Sequence, residues 1–167
     1  MKKLISFALI FSMVLTSVSI AFAKTTLSDI DNTPYQAAVE NLVNKGVING
    51  YTDNTFKPEE SITRAEACVV IVKSMNPTQE QLNGAAKNKF SDLTDTYWGN
   101  PYINYAAEKG IIAGYEDGTF QPKKNVSYYE MAAMLVNAMG IKESNLTGTW
   151  PDNYFNKASE LGIFKDI

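Results

Sequence analysis

Residues 45–58 run Lys45-Gly-Val-Ile-Asn-Gly-Tyr-Thr-Asp-Asn-Thr-Phe-Lys-Pro58, and residues 109–122 run Lys109-Gly-Ile-Ile-Ala-Gly-Tyr-Glu-Asp-Gly-Thr-Phe-Gln-Pro122. Nine of the fourteen positions are identical. The echo spreads outward: Ser28-Asp29-Ile30 is answered by Ser91-Asp92-Leu93, and Ile62-Thr63-Arg64-Ala65-Glu66 by Val126-Ser127-Tyr128-Tyr129-Glu130. A period of about 63 residues means that one structural unit was duplicated, so the fold is an array of units. Positions that differ between the copies then become clues to function.

The N-terminus reads as a targeting segment. Met1-Lys2-Lys3 is a basic start, Leu4 to Ile20 is apolar, and Ala21-Phe22-Ala23 has the small-residue pattern of a signal-peptidase site. The expected mature chain starts at Lys24, outside the cytoplasmic membrane and with no span left in it. Without Lys2 and Lys3 the chain has 13 basic and 18 acidic residues, a net charge of −5. That balance argues against nucleic acid and anionic lipid as partners. Histidine is absent, which removes the commonest general base and metal ligand. No cofactor or metal is expected. Cys68, the single cysteine, sits in the run Ala67-Cys-Val-Val-Ile-Val72 and reads as a small core residue.

Each unit shows two helical patterns around a turn. Tyr35, Ala38, Val39, Leu42 and Val43 repeat as one buried helical face, and Gly46 supplies a stop. Gly50–Phe56 and Gly114–Phe120 read as tight hairpins, because Asp-Asn and Asp-Gly tolerate the positive φ that two-residue turns need. Thr63-Arg-Ala-Glu66 and Ser127-Tyr-Tyr-Glu130 are capping boxes, which gives Glu66 and Glu130 structural work first. The helices that follow are apolar almost all round, so they should lie at the centre with the first helices covering them. Residues 77–89 read as a polar linker with room for a short helical turn. From Trp150 a third unit begins: Trp150 to Ile163 matches Trp98 to Ile111 at seven of fourteen positions. The sequence then stops at Ile167, before any Gly-Tyr hairpin or second helix.

These strings resemble the S-layer homology (SLH) repeat of bacterial cell-surface proteins. The shared elements are Ser-Asp-(Ile/Leu), a Trp six residues after the second Asp, Gly-(Ile/Val)-Ile-x-Gly-Tyr-x-Asp-x-Thr-Phe-x-Pro, and Ile-Thr-Arg-Ala-Glu. The resemblance divides the chain into repeats at 27–76 and 90–140 and a partial repeat at 150–167. It implies a mostly α fold of helix–loop–helix units around a pseudo-threefold axis, with the second helices central. It also implies a secreted, non-enzymatic wall protein that holds a cell-wall polysaccharide, often one carrying pyruvylated amino sugars, in grooves between repeats.

Arg64, the only arginine, stands in the first turn of a helix, where a cation opposes the macrodipole by a few tenths of a kcal/mol. A bound carboxylate, held by the free amides of the helix start and the guanidinium fork, would offset that cost. The competing reading pairs Arg64 with Glu60 or Asp29. On either reading Arg64 is not a packing element, and Arg64→Ala should change stability by under ~1 kcal/mol. The resemblance puts the binding arginine at Arg64 and adds Gly50 and Gly114 to the grooves. Tyr51, Tyr115, Trp98 and Trp150 offer faces for sugar rings, with both tryptophans leaning towards structure. Asp29 and Asp92 either accept from sugar hydroxyls or cap the first helices. Tyr128 stands where a second arginine would be, so the second site lacks its charge. Two all-apolar central helices leave a strip where a third would lie. Its expected cover is a second copy, another SLH protein, or residues 77–89 or the chain end folding across it, with association preferred. A surface protein that assembles with other SLH chains and binds polymer weakly is therefore the alternative function.

Overall fold

The computed structural model describes residues 27–86 and 89–165; the proposed signal peptide and its cleavage site lie outside them. Helices dominate the described residues: α1 (Gln36–Asn44), α2 (Arg64–Ser74), α3 (Gln79–Gly84), α4 (Asn100–Glu108), α5 (Tyr128–Ala138) and α6 (Asp152–Glu160), with a 3-10 turn at Glu143–Asn145. The fold is mostly α, as the repeat pattern predicts.

Both capping boxes form. Thr63 accepts from the Glu66 N–H while the Glu66 carboxylate accepts from the Thr63 N–H, and Ser127 and Glu130 repeat the arrangement. These boxes fix where α2 and α5 begin, which sets which side chains meet the neighbouring repeat. Ala65, Ala67, Cys68, Ile71 and Val72 of α2 are all buried in the main core with Ile103, Ala106, Ile111 and Phe120. At about 1.5–3 kcal/mol for each large apolar side chain, that cluster is the chief stabilising term. Cys68 is fully buried, and desolvation pushes its thiol up to about 12.

The layering is offset by one repeat. α4 packs on α2 and α6 packs on α5, while α2 and α5 adjoin each other. Each of these outer helices thus covers the second helix of the unit before it. α1 is the exception to the expected arrangement. It has no extensive contact with another helix among those described and builds a small separate cluster from Leu27, Ile30 and Val39. The linker is more ordered than its polarity suggests. Thr78 and Gln81 form a third capping box, and Leu82 and Ala85 are buried in the main core beside α4.

The two Gly-Tyr segments are not two-residue hairpins. In the first, the Tyr51 N–H donates to the Thr55 carbonyl at 2.8 Å and the Asn54 N–H to the Tyr51 carbonyl at 3.0 Å. Asn54 has φ 61° and Gly118, its counterpart, 77°. This is the longer loop in which a turn is followed by one left-handed residue. Asp53 and Asp117 tighten it by accepting from the N–H and hydroxyl of Thr55 and Thr119. Gly50 and Gly114 are required by close approach. A Cβ on Gly114 would lie 2.5 Å from Phe90 Cε1 and 2.7 Å from the Thr119 carbonyl oxygen, and one on Gly50 would lie 2.3 Å from Leu27 Cδ2.

Candidate functional site

Asp29 and Asp92 do not cap first helices; α1 and α4 have Tyr35 and Gly99 at their N-caps. Each aspartate instead staples the end of its own loop. Asp29 accepts from the Phe56 and Lys57 N–H groups at 2.7 Å each, and Asp92 from Phe120 and Gln121 at 2.8 Å each. Desolvation would raise the Asp29 carboxyl, but the two backbone donors outweigh it and hold it below the ordinary value.

The stapled loop of the second repeat docks on the start of α2. The Arg64 N–H donates to the Lys124 carbonyl at 2.8 Å, the Ala65 N–H to Pro122 at 3.1 Å, and the Val126 N–H to Ile62 at 3.0 Å. A single antiparallel bridge pairs Thr63 with Asn125. The amides expected to be free for an anion are therefore taken by the next repeat.

Arg64 is correspondingly not a surface residue. It is 4% exposed, and its partner is neither Glu60 nor Asp29. Nη1 lies 3.0 Å from Glu130 Oε1, Nε donates to the Phe120 carbonyl at 2.9 Å and Nη2 to Ala113 at 3.4 Å. Its guanidinium sits 4.7 Å from the Tyr115 ring centre and 4.8 Å from that of Phe120. The expectation that Arg64 contributes nothing to packing is overturned, because the side chain bolts the first repeat to the second. Each of its three guanidinium nitrogens thus has a partner from the second repeat.

Glu130 is the hub of this cluster. Its Oε2 completes the capping box through the Ser127 N–H, while Oε1 accepts from the Tyr115 hydroxyl and faces Arg64 and, at 3.7 Å, Lys124. Lys124 also donates to the Tyr115 hydroxyl at 3.0 Å and lies 4.7 Å from that ring's centre. Partial burial would raise the Glu130 carboxyl, but the Tyr115 and Ser127 donors and the Arg64 charge hold it below the usual range. The Tyr115 hydrogen bond raises Lys124. Two cations against one carboxylate leave the cluster with a residual positive charge.

Beside the cluster opens a cavity of about 740 Å³. Arg64, Tyr115 and Glu130 line it together with Gly114, Glu116, Asp117, Asn137, Glu143, Trp150 and Tyr154. Three repeats contribute: the start of α2, the second loop with α5, and the segment leading into α6. Of the residues expected to bind, the structure brings together Arg64, Gly114, Tyr115 and Trp150.

The others lie elsewhere. Tyr51, 41% exposed, carries Lys57 over its ring at 4.7 Å. Tyr128, 67% exposed, meets only the edge of Phe164 among the ring contacts. Trp98 is not among the cavity's lining residues. Neither tryptophan belongs to the core, since Trp98 is 57% and Trp150 52% exposed. Lys124 and the second task of Glu130 escape a reading by motif. Comparison of the copies holds the signal for Lys124, because the equivalent position in the first unit is Glu60, the opposite charge.

A model of the S-layer homology domain matches residues 26–68 and 89–132. The chain is similar to the middle cell wall protein of Brevibacillus brevis, at 30% identity over the whole chain and 16% of that protein. It is 40% identical to a cellulosome-anchoring protein of Acetivibrio thermocellus over 71% of the chain and 29% of that protein. An uncharacterised cell wall amidase of Bacillus anthracis matches at 30% identity, over 98% of the chain and 32% of its own length. The chain thus spans less than a third of each of these relatives.

Proposed function

The chain belongs to the S-layer homology family, a cell-surface protein with a wall-binding role, and from that premise we propose that it holds a wall polysaccharide in the cavity beside Arg64. The carrying observation is the Arg64–Glu130 pair, with Lys124 beside it, on the wall of an open cavity built at a repeat junction. A polysaccharide bearing a carboxylate, such as a pyruvylated amino sugar, suits this pair of cations. Arg64 supplies the guanidinium on the cavity wall, and Lys124 stands beside it on Glu130, so the two cations are the groups that would meet the carboxylate. The other carboxylates of the lining, Glu116, Asp117 and Glu143, suit hydroxyl donors rather than a second anion. The role is attachment rather than catalysis: Glu130 is engaged by four donors and held ionised, which suits it poorly to act as a general acid.

Co-sedimentation with purified sacculi tests this reading. Lys124→Glu reverses the charge of a half-exposed side chain and should abolish pelleting, as should removal of the secondary polymer from the sacculi. Selective removal of pyruvyl groups should weaken pelleting of the unaltered protein. Undiminished sedimentation of Lys124→Glu would overturn the assignment. A second reading, assembly with another SLH chain, is favoured by one observation. α1 lacks a helix partner of the kind that α4 and α6 have, and a helix from another chain would supply it.

A further inference from the structure

The linker helps to form a second pocket. α3 packs against α4, and the Ala86 N–H donates to Glu108 Oε2 at 3.1 Å. A space of about 240 Å³ is lined by Leu82 and Ala85 together with Asp95, Asn100 and Asn104. It shares no lining residue with the cavity beside Arg64. Asn100 and Asn104 are each 4% exposed, and the side-chain oxygen of each is buried without a hydrogen-bond partner. Buried polar atoms are nearly always paired, so two orphans lining one pocket call for a partner. The two stand at i and i+4 on α4, one turn apart on the same face. The repeat itself does not require them. Gln36 and Glu40 hold the same places in α1, and there Gln36 Nε2 donates to Glu40 Oε1 at 3.2 Å.

Asp95, which is exposed, adds a carboxylate with no hydrogen bond or ion pair among the described residues. Asn83 lines the pocket too, but its oxygen already accepts from Gln79 at 3.0 Å. The three open groups are all oxygen acceptors, so a ligand for them must bring positive charge or donors. Carboxamide and carboxylate oxygens suit hard cations, and calcium accepts irregular sets of them with water completing its coordination. At about 30 Å³ per water, the space holds an ion and several coordinated waters.

We propose that Asp95, Asn100 and Asn104 form a calcium site that holds the loop before α4 against that helix. No three His, Cys, Asp or Glu side chains among the described residues gather into a metal site. This one escapes that pattern because two of its three protein ligands are neutral amides. A single carboxylate places it among weak extracellular sites, with a Kd on the order of 10⁻⁴–10⁻³ M.

Titration of chelator-treated protein with calcium chloride at constant ionic strength, followed by equilibrium dialysis of radiolabelled calcium and by thermal melting, tests the site. One ion should bind per chain, and the melting point should rise over the same range of concentration. Magnesium, which demands octahedral geometry and dehydrates reluctantly, should bind about tenfold more weakly or worse. Asp95→Ala should weaken calcium binding about tenfold or more and leave the calcium-free melting point unchanged. Asn104→Leu replaces an orphaned carboxamide by an apolar group of similar size, and should abolish binding without lowering the calcium-free melting point. If Asn104→Leu does not fold, the Asp95→Ala comparison decides by itself. No calcium bound at about 10 mM, well above the expected Kd, would overturn the site and leave the pocket to water alone. Calcium binding that survives both substitutions would place the ion elsewhere and overturn it equally. Equal stabilisation by magnesium, the mark of charge screening, would do the same.

Discussion

Replacing Arg64 by alanine should cost the fold far more than a surface arginine would. The substitution removes an ion pair at 3.0 Å between side chains 5% and 12% exposed. It also strips the donors from the Phe120 and Ala113 carbonyls. Removing one partner of a fully buried pair costs about 3–5 kcal/mol because the other charge is orphaned. Here Glu130 keeps Tyr115, Ser127 and Lys124, so the lower end applies. Relief of the helix dipole returns only a few tenths of a kcal/mol. The net loss is roughly 3 kcal/mol, which for a chain of this size lowers Tm by roughly 6–12 °C. Urea unfolding followed by circular dichroism measures it. A double-mutant cycle with Glu130→Gln should give a coupling of about 1 kcal/mol or more. Arg64→Lys should recover only part, since an ammonium cannot serve the Nε and Nη positions together. A loss below ~1 kcal/mol for Arg64→Ala would refute the claim that this side chain joins the repeats.

Gly114→Ala should destabilise by about 2 kcal/mol or more, since its Cβ meets Phe90 and a backbone carbonyl; Gly110→Ala, with nothing within 4 Å, should cost only its left-handed φ, about 1 kcal/mol. Thermal melts of the two variants check the order. Asp92→Asn replaces one of two acceptor oxygens by a donor facing an N–H group, and should cost about 1–3 kcal/mol by the same assay. Acid should destabilise the fold through Glu130. Its folded carboxyl lies below the ordinary glutamate value of 4.5, so between the two the unfolded chain binds more protons and lowering the pH favours unfolding. The contribution is complete above about 4.5 and is lost as pH falls through the folded value. Glu130→Gln should flatten that limb of the stability–pH curve. Cys68, with its thiol pushed up to about 12, should resist thiol reagents in the native state and react at once in denaturant.

Much of the architecture is legible in the repeat. Capping boxes are local, so Thr63–Glu66 and Ser127–Glu130 announce the start of α2 and α5 without tertiary information. The buried thiol follows from an apolar run. What the motif conceals is which unit each element serves. Asp29 and Asp92 look like helix caps because they precede helices, yet their acceptors match N–H groups 27 to 29 residues on. Arg64 looks like a free cation opposing a dipole until the second loop closes over it, consuming the amides and supplying Glu130 from α5. The offset packing of α4 on α2 and α6 on α5 likewise lies between units. It also explains Trp150: at the head of an outer helix seated on the preceding unit's α5, it lines a cavity shared with the earlier repeats.

The sole arginine and the two tryptophans make one spectrum decisive. In a 15N-labelled sample the Arg64 Nε–H is the only resonance of its kind, and the indole N–H groups of Trp98 and Trp150 give two. On titration with soluble wall polymer, the Arg64 Nε–H, the Trp150 indole and the Gly114 and Tyr115 amides should shift together and saturate at one concentration, with the Trp98 indole still. Shifts confined to Tyr51, Trp98 or Tyr128, with the Arg64 Nε–H unmoved, would contradict a binding site at this junction.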